Sequence, residues 1–433
     1  MTGMEHLLAA RAQMGTSLAF HFIFSALGIG LPLFLVIVEG LYLRTGDRTY
    51  YTLARTWSKM MAALFAIGAV SGTTIAFELG LLWPVFMQYA GGIIGIPFSA
   101  EGFAFFIEAI FIGIYLYGWD RLSPRAHWLC SFPIAIGGAA SGLFVVCANA
   151  WMSTPSGFRI ESGKPVDVQP FIAMFNAAWK TEAIHTLLAA YIFVAFLIAG
   201  ISALKYLLGK PFGTPAAMRI ALTVGAICIP LQIVVGDISA RFDAHSEPVK
   251  SAAMEGQFAT QAGAPLRIGG IPDVAQHRVL YAIEIPKMLS ILGFENPNAV
   301  IAGLDAVPQK YWPPVVFTHL SFQAMVGTGF MLLFIAMWWI AVERRRKTFS
   351  RAFLWVLVAG GPLAFIAMET GWMVTEEGRQ PWIVYGYLLT RDAVTPAPGL
   401  DITFAGFTIM YFFLAVTLAW LLVRIDREVS ESP

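Results

Sequence analysis

Charge is scarce in this chain. Lys, Arg, Asp and Glu make up 13% of its 433 residues, about half the share of a soluble globular protein, while 58% of residues are hydrophobic. A folded monomer of that composition has too few charged groups to cover a water-exposed surface, so its solvent is expected to be lipid. Neither sign is in excess. The 28 Lys and Arg against 27 Asp and Glu leave no basic stripe of the kind nucleic acid requires, which excludes that partner. Cysteine is sparse as well: Cys130, Cys147 and Cys228 lack C-x-x-C or C-x-x-C-H spacing, so a disulfide framework, a zinc site and covalently attached c-type haem have no basis here. Any cofactor must be held non-covalently by other ligands.

What the chain has is long apolar runs. A transmembrane helix needs about 20 mostly apolar residues, whereas barrel strands read as alternating segments of about 10. Nine continuous runs, at 16–43, 57–82, 97–118, 127–150, 180–207, 217–239, 314–343, 352–375 and 403–424, predict an all-α integral membrane protein of about nine transmembrane helices. The first run is too long for a signal-peptide core and is read as a retained span. More than half of the Lys and Arg follow the odd-numbered spans, including Arg44, Arg48, Arg121, Arg125, Lys205, Arg344, Arg345, Arg346, Lys347 and Arg424. The positive-inside rule then puts the N-terminus outside and the C-terminus in the cytoplasm. Residues 1–433 read as a single membrane domain, and the polar, Gly- and Pro-containing stretch 240–313 as an extracytoplasmic excursion within it.

Ionisable groups within spans are functional candidates, and here nearly all the unusual polar groups fall in one layer. With that topology, His21, Glu101, Glu108, His185, His319 and Met325 lie towards the outer ends of odd-numbered spans, and Glu78, Glu369, Glu376 and Glu377 at the outer ends of even-numbered ones. One layer suggests one site. His21, His185 and Met325 offer neutral imidazole and thioether, which are haem iron ligands; the alternative for each is an ordinary helix-packing contact. Glu101 and Glu108 are seven residues apart, about 10 Å of rise on one helix face, which suits a ladder for protons and equally a pair of protonated acids bonding neighbouring helices. Arg379, directly after the eighth span, could bind an anionic group such as a haem propionate through its paired donors, or be a snorkelling interfacial arginine.

Together these stretches resemble subunit I of the cytochrome bd family of quinol oxidases, of the short quinol-loop type, over almost the whole chain. The most specific match is Glu369-Thr-Gly-Trp372-Met-Val-Thr-Glu376-Glu-Gly-Arg379-Gln-Pro-Trp382; others are Arg11 to His21, Glu101 to Glu108 running into Gly118-Trp-Asp-Arg-Leu122, Ala148-Asn-Ala-Trp-Met152, and Gly236-Asp237. The resemblance implies a terminal oxidase in a prokaryotic cytoplasmic membrane that oxidises quinol at the outer face and reduces dioxygen to water, adding to the proton motive force without pumping. It implies two haems b and a haem d, or a third haem b. His185 and Met325 match the low-spin axial ligands, and His21 and Glu376 those of the two high-spin haems. Trp372 and Arg379 match residues packed around the haems, Glu101 and Glu108 the acids of proton delivery, and Lys250 and Glu255 the pair implicated in quinol binding. Its partners would be a second membrane subunit, subunit II, and a small single-helix subunit.

The sequence also departs from that pattern. Gln323 stands where better-known members carry arginine, and helix 2 ends Phe77-Glu-Leu-Gly-Leu-Leu-Trp83 instead of containing a glutamine and a Gly-Thr-Asn-Trp run. These differences leave open a non-quinol donor or altered haem content. A secondary ion transporter is the rival from another class, and it would carry corresponding broken helices in two related halves; no such repeat is visible here.

Overall fold

A computed structural model of the chain describes residues 3–210, 215–345 and 348–431; Arg346 and Lys347 lie outside the described residues. Among the described residues, nine helices are long and apolar enough to cross a membrane: α1 Gly3–Thr45, α2 Arg48–Leu82, α3 Pro84–Gly118, α4 Pro124–Ser153, α5 Trp179–Leu207, α6 Pro215–Ser246, α7 Val315–Arg344, α8 Arg351–Gly378 and α9 Leu400–Glu431. Each matches one apolar run, and each reaches beyond it. Helix α3 begins at Pro84 and runs straight through Pro97, where the sequence suggested a start. Where no water competes for backbone groups, a helix survives a proline that would end it elsewhere. The ends carry conventional stops: Asp47 accepts from the Thr49 amide, Ser123 from Ala126, and Ser350 from Phe353, each satisfying a first-turn N–H.

Two rings of four helices organise the bundle. Helices α1 to α4 pack each on the next and close back on α1, and α5 to α8 do the same; α1 and α4 join the rings by packing on α5, and α9 lies outside against α1 and α2. Small residues permit the closest approaches, as membrane packing favours. A Cβ at Gly200 of α5 would meet the Leu357 carbonyl oxygen of α8 at 2.9 Å.

The excursion between α6 and α7 starts at residue 247, because α6 continues to Ser246. It holds the short helices Pro248–Glu255 and Met288–Phe294 and small antiparallel ladders, among them Leu266–Ile268 with Ile283–Ile285 and Ile271–Asp273 with Arg278–Leu280. Gln323 of α7 clamps this loop: its Oε1 accepts from the Gly269 amide at 2.9 Å and its Nε2 donates to the Arg267 carbonyl at 3.0 Å.

Candidate functional site

In the ring of α5 to α8, His185 sits on α5, with Nε2 accepting from the Gln232 side-chain amide of α6 at 3.0 Å. The other ring nitrogen, Nδ1, is buried and has no hydrogen-bond partner. A Cβ at Gly236 of α6 would lie 3.1 Å from its Cε1. Met325 of α7 repeats the arrangement against α8, its Sδ 3.0 Å from where a Cβ at Gly371 would stand. Each soft side chain thus lies against a glycine of the next helix.

His21 of α1 is placed the same way in the other ring, where a Cβ at Gly72 of α2 would be 2.9 Å from its Cε1. Ser71 fixes its tautomer. The Ser71 hydroxyl donates to the Ile67 carbonyl at 3.0 Å, so at 2.9 Å it accepts the proton of His21 Nδ1, leaving Nε2 with its lone pair and only the Ser25 hydroxyl, 2.8 Å away, beside it. A second partner that orients the ring in this way is the usual companion of a metal-binding histidine. His319 contrasts with it: both of its nitrogens meet backbone carbonyls, those of Met254 at 2.8 Å and Gly269 at 3.2 Å, so it fastens the loop to α7.

Helix α8 links the two rings. Trp372 stacks on Phe22, the neighbour of His21, with ring centroids 4.9 Å apart, and its indole N–H is buried without a partner. One turn on, Glu376 accepts from Asn149 of α4 and, at 3.0 Å, from Arg379. Arg379 is buried, donates also to Ser153 at 3.3 Å, and keeps its Nε unpaired. Asn149 and Ser153, on the last turns of α4, are site residues that sequence reasoning did not select.

Glu101 and Glu108 share the α3 face that meets α4. Ser141 donates to Glu101 at 3.1 Å, and Glu108 is buried between glycines, its carboxylate 3.3 Å from where a Cβ at Gly138 of α4 would be and 3.9 Å from one at Gly28 of α1. Gly28 is seven residues beyond His21 on α1, about 10 Å of rise, so Glu108 lies deeper than the histidine.

Above α6 and α8, the short helix Pro248–Glu255 buries Lys250, whose ammonium is 3.1 Å from Asp243 and 3.2 Å from Glu247. Burial disfavours that charge, but Asp243, Glu247 and Glu182 outweigh it and hold Lys250 above its ordinary value. Burial raises Glu247, against the pull of Lys250, and its Oε2 has no partner. Lys250, Tyr311, Arg379, Trp382 and Tyr385 line a cavity of about 180 Å³, with Tyr311 and Trp382 stacked at 5.3 Å. Glu255, at the end of the same short helix, does not line it; burial pushes Glu255 up to about 7, against the lowering effect of the Arg267 guanidinium.

The donor set fits haem. An unpaired buried imidazole nitrogen is costly unless a partner outside the chain meets it, and His21 presents an Nε2 lone pair met only by the Ser25 hydroxyl. Glycines let these rings and the thioether lie flat against neighbouring helices, and the unpaired Arg379 Nε and Trp372 N–H suit propionate oxygens. The comparisons agree in kind. A family model described as cytochrome bd terminal oxidase subunit I matches residues 9–429. A putative cytochrome bd menaquinol oxidase subunit I of Bacillus subtilis is 37% identical, covering 98% of this chain and 97% of its own. A cytochrome bd ubiquinol oxidase subunit 1 of the same organism is 32% identical, covering 99% of this chain and 95% of its own. The structure of bd oxidase from Geobacillus thermodenitrificans superposes with a TM-score of 0.93 at 38% identity, covering 99% of this chain and 100% of that one.

Proposed function

The chain belongs to the cytochrome bd terminal oxidase subunit I family, and from that membership we propose that it is the haem-bearing subunit of a multi-pass membrane oxidase in a prokaryotic cytoplasmic membrane, oxidising quinol at the outer face and reducing dioxygen to water. His185 and Met325 hold a low-spin haem b, and His21 and Glu376 hold the two high-spin haems, one b and the other d or b. When bound, haem supplies the iron that carries electrons and takes up dioxygen. Trp372 and Arg379 pack against the cofactors, the arginine offering donors to propionates. The observation that carries this reading is the burial of the whole His185 ring opposite Gly236 with Nδ1 unpartnered and Nε2 met only by the Gln232 amide, an arrangement that a mere packing histidine has no reason to adopt.

The chain's own groups account for the proton side. The cavity bounded by Lys250, Tyr311, Trp382 and Tyr385 suits a planar quinol headgroup, with aromatic faces and a fixed cation to orient its hydroxyls; Glu255, nearby on the short helix, takes a quinol proton outward. Glu108 and then Glu101 carry protons from the cytoplasmic side towards the outer layer. Each such charge crosses the potential at about 2.3 kcal/mol per 100 mV, so the reaction separates charge without a pump. Exposed apolar faces on α3 and α9, such as Phe103, Phe106, Phe412 and Phe413, are available to lipid and to subunit II, and a small single-helix subunit completes the assembly. In the purified complex, replacing His185 by Ala should abolish the low-spin haem signal in the reduced-minus-oxidised spectrum and stop quinol-dependent oxygen uptake. An unchanged spectrum rejects the assignment.

A further inference from the structure

Below Glu108, near the inner ends of α1, α3 and α4, three buried side chains form a cluster that no part of the reading above uses. The Tyr115 hydroxyl donates to Glu39 Oε2 at 2.6 Å, His127 Nδ1 is 2.6 Å from Glu39 Oε1, and His127 Nε2 is 2.8 Å from the Tyr115 carbonyl oxygen. Glu39, Tyr115 and His127 are each at most 3% exposed. Ion pairing for stability is weak grounds for such a burial, since an apolar replacement is often as stable. The position is informative. Glu101, Glu108 and Tyr115 are spaced by seven residues on α3, a row of about 21 Å along one face, and His127, Ser131, Gly138 and Ser141 form the opposing row on α4. The two rows are joined by the Ser141 to Glu101 bond at one end and by the cluster at the other. On its inner side the cluster reaches the surface through Trp119, whose ring is 4.1 Å from His127 and lies beneath Arg55.

We propose that Glu39, His127 and Tyr115 are the cytoplasmic proton-loading site that feeds Glu108, an inference that rests on the proton route through Glu108 and Glu101. The hydrogen bonds define how it works. Both His127 nitrogens face acceptors, so the same heavy-atom positions serve two arrangements: imidazolium beside the Glu39 carboxylate, or neutral imidazole, protonated on Nε2, accepting from a protonated Glu39. One proton moves along the 2.6 Å contact between Nδ1 and Oε1 with no rearrangement of either side chain. Tyr115 donates to the other oxygen in both states and keeps the carboxyl aimed between the helices. A proton released by Glu39 along the row past Ser131 to Glu108 is replaced by one from cytoplasmic water through His127, which returns the cluster to its starting charge.

The test uses the whole oxidase complex in liposomes, comparing Glu39→Gln, His127→Ala and Tyr115→Phe with Glu108→Gln. Proton uptake from the cytoplasmic side, read with a pH-sensitive dye after an oxygen pulse, should slow by about tenfold or more in Glu39→Gln and His127→Ala, with a larger solvent deuterium effect and unchanged haem spectra. Added imidazole should restore His127→Ala, which a purely structural histidine would not explain. Tyr115→Phe, which removes only a hydroxyl, should slow uptake less. If Glu39→Gln does not assemble, Glu39→Asp, whose shorter reach breaks the contact to His127, decides in its place. Wild-type uptake in the cluster variants beside slow uptake in Glu108→Gln overturns the loading site alone; wild-type uptake in Glu108→Gln removes the route it was to feed.

Discussion

The glycine opposite His21 permits a sharp test of how the site is built. In Gly72→Ala the new Cβ would stand 2.9 Å from His21 Cε1, whereas carbon atoms settle at about 3.5–4.0 Å, so the ring must retreat by roughly 0.6 Å or more. Retreat is resisted because Ser71 and Ser25 hold its nitrogens at 2.9 and 2.8 Å. Adding that displacement to either bond exceeds the usual hydrogen-bond range of about 2.7–3.2 Å. Overpacking of this kind costs about 1–3 kcal/mol, roughly a five- to 150-fold shift from the seated to the displaced imidazole. The assay is haem extracted per complex together with the reduced-minus-oxidised spectrum. One high-spin signal should weaken or shift while the low-spin signal stays, because His185 and Met325 belong to the other helical ring. Gly80→Ala is the control, since nothing lies within 4 Å of a Cβ there. Full haem content and an unshifted spectrum in Gly72→Ala would refute the argument that the glycine seats the ligand.

Other outcomes follow from the same geometry. Glu108→Gln should lower oxygen consumption about a hundredfold and leave the haem spectra intact, and normal turnover would exclude Glu108 from the proton path. Lys250→Met strands buried carboxylates at Asp243 and Glu247, a loss of about 3–5 kcal/mol to be read as a lower unfolding temperature; adding Glu247→Gln should recover part of it. Glu255 is raised from 4.5 to about 7 by burial, so its contribution to stability is complete below pH 4.5 and is lost as pH rises through about 7. Thermal unfolding followed from pH 4.5 to 8 should therefore show a decline that Glu255→Gln flattens, and equal slopes in the two proteins would contradict it.

Much of the fold was legible because lipid makes the pattern coarse. A chain that must satisfy every backbone group internally has little choice but helices, so nine apolar runs became nine helices. Their ends were less legible: helix α3 reaches back past Pro97, and α6 carries on to Ser246, which brings Asp243 to Lys250. The candidate ligands His21 and His185 stood out because ionisable groups are rare in spans, and Met325 and Glu376 through the family resemblance. What supports them did not. Gly72, Gly236 and Gly371 look like ordinary membrane-helix glycines, Ser71 like any buried serine, and Gln323 read as a missing charge until its amide was found holding the loop.

The sequence alone carried the solvent, the number of crossings and the family, since each is written in composition, periodicity or a contiguous motif. Only the tertiary structure decided which of the buried histidines are satisfied and which are open. His319 is closed by two backbone carbonyls, His185 leaves one ring nitrogen without a partner, and Glu39 of α1 meets Tyr115 of α3 and His127 of α4 across 76 and 88 residues of sequence. Such pairings depend on which helix faces meet, and helix faces in lipid are apolar nearly all round, so no local pattern announces them.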